Sequence, residues 1–187
     1  MAKKAVFMDR DGVINKVCYH HELGIYSAKN MDEFKVIDRV KEGIAKIKSM
    51  NFLSIVVSNQ PGFAFGYLEE HEVEEINDFM KKELGIDRVY MCIHHPDHSG
   101  ECDCRKPKSG MLTQASKDLN IDLGQSYMVG DNISDILAGK DCKKRIFIGR
   151  ARCDLCNLFL EHNAQPDHIV PNLYHAALQI EELEKEF

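Results

Sequence analysis

Short apolar runs of four to six residues are the feature that most constrains the fold of this chain. They are near-continuous in apolar character rather than alternating, which is typical of strands buried on both faces of a parallel sheet. Segments between them carry apolar residues at helical spacing. The predicted strands are residues 4–9, 53–58, 88–93, 126–130 and 145–148, and the predicted helices lie around 40–47, 73–84, 111–119, 133–138 and 173–183.

This alternation of strands and helices predicts a three-layer α/β fold with a mostly parallel sheet and right-handed crossovers. The chain has 187 residues, of which 44% are hydrophobic, and no linker rich in Pro, Gly or Ser divides it. We therefore expect a single domain over residues 1–187. Ligands of such sheets bind beyond the carboxyl ends of the strands, so the residues that follow each strand are the candidate site.

The charge balance restricts the partners. A net charge of −6 argues against nucleic acid as an electrostatic partner, although local cations still allow an anionic small substrate. No signal-peptide pattern follows Met1, and no apolar run approaches the ~20 residues that cross a membrane. We expect a cytoplasmic protein without a membrane partner, and a monomer, because no feature demands an oligomer.

Two carboxylates follow the first predicted strand, in the sequence Asp9-Arg10-Asp11-Gly12. One can act as a nucleophile and the other as a proton donor and acceptor. Acids this close repel each other, so a divalent cation is their expected companion. The alternative is an ordinary Asp-x-Asp-Gly turn at the end of a strand.

Polar side chains also follow the second strand. Ser58, Asn59 and Gln60 supply a hydroxyl, two amides and backbone N–H groups that can hold phosphate oxygens. These residues would also serve simply to end a strand.

The fourth strand ends in a second acidic stretch. Asp131 can offer its carboxylate to a hard cation, and Asp135 reaches the same edge from the first turn of the next helix. Asp131 or Asn132 can equally cap that helix. Both interpretations hold together.

Arg105 and Lys106 follow the third strand after a long loop. A guanidinium binds phosphate as a fork, whereas an ammonium acts as a point charge. Basic residues in a loop are usually solvated. Together, however, the four strand ends supply a nucleophile, an acid/base, phosphate donors, cations and metal ligands, which predicts a phosphate-processing site.

The loop before Arg105 is rich in soft metal ligands. Three of the seven cysteines, Cys92, Cys102 and Cys104, lie close to His94, His95 and His98, and three thiolates with one imidazole form a closed structural zinc site. Such a site has no open position for water, so we expect the zinc to be structural. The alternative is a set of reduced cysteines without metal. Cys153-x-x-Cys156 is interpreted as a pair of reduced thiols rather than a second metal site.

These motifs resemble the haloacid dehalogenase (HAD) superfamily of phosphohydrolases. Asp9-x-Asp11-Gly12 resembles its first motif, Ser58 its second, Lys106 its third, and Gly130-Asp131 with Asp135 its fourth. The stretches FMDRDGVIN, SNQPGFAFGY, CIHH…CDCRKPKSGML and YMVGDNISDILAG are similar to the D-glycero-D-manno-heptose 1,7-bisphosphate phosphatases and, next, to the histidinol-phosphate phosphatases.

The resemblance implies the following roles. Asp9 would attack phosphorus to form an aspartyl-phosphate, and Asp11 would protonate the leaving group and then deprotonate water. Ser58 and Lys106 would hold the transferring phosphoryl, with Asn59, Gln60 and Arg105 as substrate contacts. Magnesium would be held by Asp9, the Asp11 carbonyl and Asp131, with Asp135 or Asn132 as a further ligand; the zinc ligands would be Cys92, His94, Cys102 and Cys104.

The spacing also indicates a capless phosphatase, because only about fifty residues separate the first two motifs and the helix and strand between them need these residues. Short loops would then determine specificity. His20 and His21 in the segment 16–30 are interpreted as exposed loop residues, with substrate contact as the alternative. The competing hypotheses are histidinol-phosphate hydrolysis, a non-catalytic phosphate-binding module, and a zinc-based interaction protein.

Overall fold

The computed structural model describes residues 2–22 and 24–185. The predicted domain 1–187 and the segment 16–30 thus contain positions (1, 23, 186 and 187) that lie outside the described residues. The strands are β1 Lys4–Met8, β2 Cys18–His20, β3 Gly24–Tyr26, β4 Phe52–Asn59, β5 Arg88–Cys92, β6 Tyr127–Gly130, β7 Lys144–Ile148 and β8 His168–Val170. The helices are α1 Val40–Ser49, α2 Glu70–Phe79, α3 Pro96–Ser99, α4 Gly110–Leu119, α5 Ile133–Ala138, α6 Cys153–Glu161 and α7 Leu173–Lys185.

Within the described residues, six strands form one parallel sheet in the order β5-β4-β1-β6-β7-β8. The chain runs outward on one side of β1 through β4 and β5, and then on the other side through β6, β7 and β8. The carboxyl ends of β1, β4 and β6 therefore meet where the direction of winding changes, which is where ligands bind in open α/β sheets.

Both faces of the sheet are buried, as the apolar runs predict. In β1, Val6 and Met8 belong to one core cluster and Ala5 and Phe7 to another, because successive side chains point to opposite faces. Helices α1 and α7 contribute to the first cluster, and α4 contributes to the second. The α/β fold with a parallel sheet is confirmed, and each of the five predicted strands matches an observed strand to within one residue at either end.

The sequence-based prediction lacked several elements. β2 and β3 form an antiparallel hairpin in the segment expected to be a loop, and α6 and β8 follow the last predicted strand. β8 is three residues long, and α6 begins at Cys153 in a stretch where nearly every side chain is exposed. Neither gives the apolar pattern of a buried element. No helix among the described residues is long and apolar enough to span a bilayer.

Candidate active site

The carboxyl ends of β1, β4 and β6 open into a cavity of about 580 Å³. Loop residues after β3 and before α4 complete its walls. The lining includes most of the predicted site residues, namely Asp9, Asp11, Ser58, Asn59, Arg105, Lys106, Asp131 and Asn132. The topology of the sheet thus brings together side chains that are more than a hundred positions apart in sequence.

Asp9 follows β1 directly, and its backbone N–H donates to the carbonyl of Val129 in β6 at 3.0 Å. Its Oδ1 accepts a hydrogen bond from the Arg10 N–H at 2.6 Å and lies 2.8 Å from the Lys106 Nζ. Burial and the neighbouring charge of Asp135 raise the pKa of Asp9 to about 7, although the Lys106 ammonium opposes this rise. Negative charge on Asp9 is therefore costly unless further positive charge is present.

Asp11 has the opposite electrostatic environment. The Arg10 guanidinium forms a fork on its two oxygens, with both distances 3.1 Å, and the Asn15 and Gln60 amides donate at 2.9 and 2.8 Å. Burial alone would raise the pKa of Asp11, but these donors outweigh burial and lower it below its ordinary value. Asp11 is thus held as a carboxylate in a fixed orientation.

Lys106 is buried, and its ammonium lies close to three oxygen atoms, with a hydrogen bond to the Val57 carbonyl. Its Nζ lies 2.8 Å from Asp9 Oδ1, 2.6 Å from Asp135 Oδ1 and 2.8 Å from the Val57 carbonyl. Burial lowers the pKa of Lys106, but the two carboxylates outweigh burial and hold it well above its ordinary value. The ammonium is therefore a permanent charge at the floor of the cavity.

Asn59 fixes the backbone of Lys106 from the end of β4. Its Oδ1 accepts from the Lys106 N–H and its Nδ2 donates to the Lys106 carbonyl, both at 3.0 Å. This reciprocal pair joins the loop that carries the cation to the sheet, over 47 positions of sequence.

Three carboxylates, those of Asp9, Asp131 and Asp135, each place an oxygen within 4.8 Å of the others. Burial, followed by the charges of Asp9 and Asp135, raises the pKa of Asp131 to about 8. Such an all-oxygen set of mutually repelling acids suits a hard divalent cation.

Two glycines allow the acids to approach so closely. A Cβ on Gly12, which has φ +86°, would lie 1.9 Å from Asp131 Oδ2, and one on Gly130 would lie 2.2 Å from the Asp135 Cβ. Asp135 also accepts from the Asn132 N–H at 2.9 Å, while the Asn132 Oδ1 accepts from the Ser134 N–H at 3.1 Å. The predicted helix cap is therefore present, and Asp135 joins the acidic cluster at the same time.

The cysteine-rich loop between β5 and α4 gathers four soft donors. The Cys104 sulfur lies 3.0 Å from that of Cys92, 3.4 Å from that of Cys102 and 3.3 Å from the His94 Nδ1. Burial and the neighbouring sulfurs raise the pKa of Cys104 to about 12, so negative charge there requires a cation. Three sulfurs and one imidazole nitrogen in this arrangement fit a tetrahedral zinc ion.

The backbone connects this zinc-type cluster to the cavity at the strand ends. Cys104 directly precedes Arg105, whose Nη1 donates to the His94 carbonyl at 3.2 Å. Arg105 itself lines the cavity. The position of its guanidinium thus depends on the geometry of the cluster.

Comparisons with known proteins agree with this geometry. Residues 103–176 match a family described as HAD-hydrolase-like. The chain is 43% identical over 151 residues to a D-glycero-beta-D-manno-heptose-1,7-bisphosphate 7-phosphatase of Pasteurella multocida, covering 75% of this chain and 78% of the relative. The Escherichia coli K12 protein of the same name is 40% identical over 151 residues, covering 74% and 75%. The chain belongs to the HAD family of phosphatases.

A solved structure has the same fold. It is a D,D-heptose 1,7-bisphosphate phosphatase from B. bronchiseptica complexed with magnesium and phosphate, with a TM-score of 0.78 and 24% sequence identity. The match covers 96% of this HAD phosphatase and 98% of that chain.

One predicted substrate contact of this HAD phosphatase lies elsewhere. Gln60 is completely buried and does not line the cavity; its Nε2 donates to Asp11 Oδ2 at 2.8 Å and to Ser58 Oγ at 2.7 Å. The strand-end position of Gln60 suggested a phosphate donor, but its side chain turns inward. It therefore orients two cavity side chains instead of contacting a ligand directly.

Sequence reasoning missed two residues of this HAD phosphatase site. Arg10, which lies between Asp9 and Asp11 in sequence, is completely buried, and its guanidinium contacts Asp11. The Asn15 amide also donates to Asp11. The signal for Arg10 was available, because an arginine in a buried strand-to-turn segment requires a carboxylate partner. Asn15 gave no comparable signal.

Two further histidines and two further cysteines do not belong to the cluster of Cys92, His94, Cys102 and Cys104. His95 and His98 pack against the Phe65 ring, with centroids 4.7 and 4.4 Å away. Across the described residues, the cluster of soft donors that could hold a metal ion contains His94 rather than these two. It does not include Cys153 or Cys156, which are exposed. His21 is exposed, as expected, whereas His20 is half-buried in β2 and the prediction of an exposed loop residue is wrong for it.

Proposed function

We propose that this HAD phosphatase removes the 7-phosphate of D-glycero-D-manno-heptose 1,7-bisphosphate through an aspartyl-phosphate on Asp9. The observation that carries the proposal is the placement of Asp9 in one cavity with Lys106, Asp11 and an acidic cation site. The names of the relatives at 40 to 43% identity support this substrate. The chain acts as a single domain over residues 1–187, with the zinc-binding loop at 92–104, and as a monomer.

In the first step Asp9 supplies the nucleophile. Both contacts described above converge on its Oδ1, which leaves Oδ2 to face the phosphorus. The new Oδ2–P bond forms as the P–O bond to the sugar breaks, and the sugar oxygen takes a proton from Asp11. The negative charge of an approaching phosphate raises the pKa of Asp11 and so opposes the lowering effect of Arg10 and the two amides. Asp11 can then carry the proton that it gives to the sugar oxygen.

In the second step Asp11 acts as a base. It accepts a proton from water as the water oxygen bonds to phosphorus and the bond between Asp9 Oδ2 and phosphorus breaks, which releases inorganic phosphate, restores the Asp9 carboxylate and leaves Asp11 protonated for the next cycle. The lowered pKa of Asp11 suits this role, since an ionised carboxylate is needed. Lys106 and Ser58 hold the equatorial phosphoryl oxygens, where charge stabilisation lowers the barrier most.

The acidic cluster fits magnesium. The carboxylates of Asp9, Asp131 and Asp135 and the Asp11 carbonyl are the ligands we propose, with Asn132 as a further oxygen ligand. When bound, the cation neutralises charge between the attacking carboxylate and the phosphoryl oxygens. It would also return the raised pKa values of Asp9 and Asp131 to the ionised range.

The second metal site is proposed to be structural zinc. Cys92, His94, Cys102 and Cys104 supply a complete tetrahedral set, so a zinc ion there has no open position for water. Its role is to fix the loop that carries Arg105 and Lys106 over the phosphate.

A substrate panel tests the proposed function. The purified protein with magnesium is assayed with heptose 1,7-bisphosphate and with histidinol phosphate, while ³¹P NMR follows each phosphate. We expect loss of the 7-phosphate, with kcat/KM at least about ten-fold above that for histidinol phosphate. A preference for histidinol phosphate would assign the enzyme to the other substrate class, and no turnover of either would favour a binding module.

A further inference from the structure

A second cavity of about 370 Å³ lies beside the catalytic cavity. Both cavities are lined by the same three residues, Ile25, Tyr26 and Ser27, at the end of the β2–β3 hairpin. The other side of the second cavity is formed by the segment after β4, including Phe65 and Tyr67. The two cavities are therefore neighbours on either side of these hairpin residues, close enough for two charged groups of one substrate.

One cation, Lys29, lines this second cavity. Its Nζ lies 5.3 Å from the centroid of the Tyr26 ring and 5.7 Å from that of the Tyr67 ring. The charge of Lys29 also acts on the Cys18 thiol, and no carboxylate of the described residues lies within ion-pair distance of the ammonium. A half-buried ammonium between aromatic faces has lost part of its hydration and remains available to an anion.

The nearest acid on the same segment, Glu33, is occupied by other partners. One of its carboxylate oxygens accepts from the Tyr26 hydroxyl at 3.3 Å, and the other accepts from the Lys29 backbone N–H at 3.0 Å. Glu33 thus fixes the backbone of Lys29 and the Tyr26 ring but leaves the ammonium free for a ligand.

The segment that carries Lys29 is also joined to the catalytic acids. The buried Arg10 guanidinium, which holds Asp11, donates through its Nη2 to the Ala28 carbonyl at 3.0 Å. Lys29 is the next residue, so its backbone has a fixed position relative to Asp9 and Asp11. Because this position is fixed, Lys29 can select substrates whose second charge lies at a set distance from the cleaved phosphate.

A competing cavity on the opposite side is less suited to this role. It contains Arg150 and Arg152, and it adjoins the catalytic cavity at Asp131, whose carboxylate would repel a second anion. Both arginines are exposed, and Arg152 lies 3.5 Å from the Asp154 carboxylate. Solvation and this ion pair weaken their hold on a ligand.

We propose that Lys29 binds the second anionic group of the substrate, with the Tyr26 and Tyr67 rings lining its place in the second cavity. This inference rests on the proposed function: for a sugar bisphosphate, the group is the phosphate that is not cleaved. Lys29 is then a specificity-determining residue that contributes to binding but not to the chemical steps.

Kinetics of matched variants test this assignment. Wild type, Lys29→Met, Lys29→Arg and the control Arg150→Met are assayed with heptose 1,7-bisphosphate and with heptose 7-phosphate. We expect Lys29→Met to raise KM for the bisphosphate about ten-fold, the loss typical of one charge-assisted contact, with kcat and the monophosphate kinetics unchanged. Lys29→Arg retains most of the affinity, and Arg150→Met matches wild type.

Two results would overturn the inference: Lys29→Met keeps the wild-type preference for the bisphosphate, or Arg150→Met loses it. Failure of the proposed function looks different, because wild type would then not cleave the heptose bisphosphate. The same comparison is then made with fructose 1,6-bisphosphate and fructose 6-phosphate. A role for Lys29 is also contradicted if wild type shows no preference for the bisphosphate over the monophosphate with either the heptose or the fructose substrates.

Discussion

At the scale of single residues, two carboxylates at the end of β1 differ in their protonation because their neighbours differ. Asp9 has a pKa of about 7, since burial and Asp135 act against its charge, whereas Arg10 and two amides lower the pKa of Asp11. Environments that separate the pKa values of adjacent acids are typical of sites where each acid has its own role. Here the difference matches a nucleophile that depends on a cation and a base that is ionised by its surroundings.

The Gln60 amide should affect catalysis without contacting the substrate. Gln60→Met removes a donor to Asp11 and one to Ser58 while keeping a side chain of similar length, so both groups lose their fixed orientation. We expect kcat/KM to fall about ten-fold or more, mainly through kcat, and the alkaline limb of the pH profile to shift upward as the pKa of Asp11 rises.

The control for Gln60 is Gln114→Met, which alters an exposed amide on α4. It should match wild type in both rate and pH profile. An unchanged pH profile in Gln60→Met would show that the amide does not influence Asp11.

At the scale of elements, the sequence predicts the buried strands but not the exposed hairpin β2–β3 or the elements α6 and β8. The run 53–58 predicts β4 because nearly all its residues are buried on one face of the sheet or the other. The β2–β3 hairpin presents Tyr19 and Ile25, each 73% exposed, and so lacks the burial that makes a strand visible. Residues at the strand ends were likewise predictable by position, but the inward turn of Gln60 depends on tertiary contacts that a sequence pattern does not contain.

The cysteine-rich loop, residues 92–104, should control substrate affinity more than the chemical step. Cys104→Ser removes one thiolate from the cluster, which loosens the loop and displaces Arg105 at its end. We expect KM to rise about ten-fold, with a smaller change in kcat, and limited proteolysis to cut within residues 92–104. Loss of one zinc equivalent in metal analysis accompanies these changes.

Cys156→Ser is the matched control for the loop, because this cysteine is exposed on α6 and lies outside the cluster. It should leave metal content, KM and protease resistance unchanged. A wild-type KM and wild-type resistance to protease in Cys104→Ser would contradict the structural role of the loop.

Helix α7 is joined to the amino-terminal side of the sheet by Glu184. This carboxylate accepts from the Tyr127 hydroxyl and pairs with Lys143, both at 2.7 Å, and also pairs with Lys4. Burial is outweighed by these donors, so the pKa of Glu184 falls from 4.5 to about 2. Because the folded pKa is lowered, the stabilisation is complete above pH ~4.5 and is lost as the pH falls toward 2.

Glu184→Gln should therefore lower the free energy of unfolding by about 1–2 kcal/mol at pH 7, after allowance for solvent screening. The difference from wild type should narrow progressively below pH 4.5, as measured by urea unfolding at several pH values. Glu182→Gln, an exposed position on the same helix, should change stability little at any pH. A difference for Glu184→Gln that is constant with pH would show that its charge is not responsible.

At the scale of the whole molecule, the order of the strands explains how distant parts of the chain form one cavity. β1 lies between β4 and β6, so Asp9, Ser58 and Asp131 reach the same edge of the sheet. The cysteine-rich loop adds Arg105 and Lys106, and the hairpin residues Ile25 and Tyr26 form part of the cavity wall. The global charge of −6 therefore coexists with a cavity suited to an anionic substrate.

Direct detection of the aspartyl-phosphate tests the central claim. Wild type is mixed with magnesium and heptose 1,7-bisphosphate, quenched in acid during turnover, digested and analysed by mass spectrometry. The account predicts one added phosphoryl group on the peptide that contains Asp9, and neither this adduct nor turnover in folded Asp9→Asn. A phosphoryl group on another residue, or turnover retained by Asp9→Asn, would contradict it.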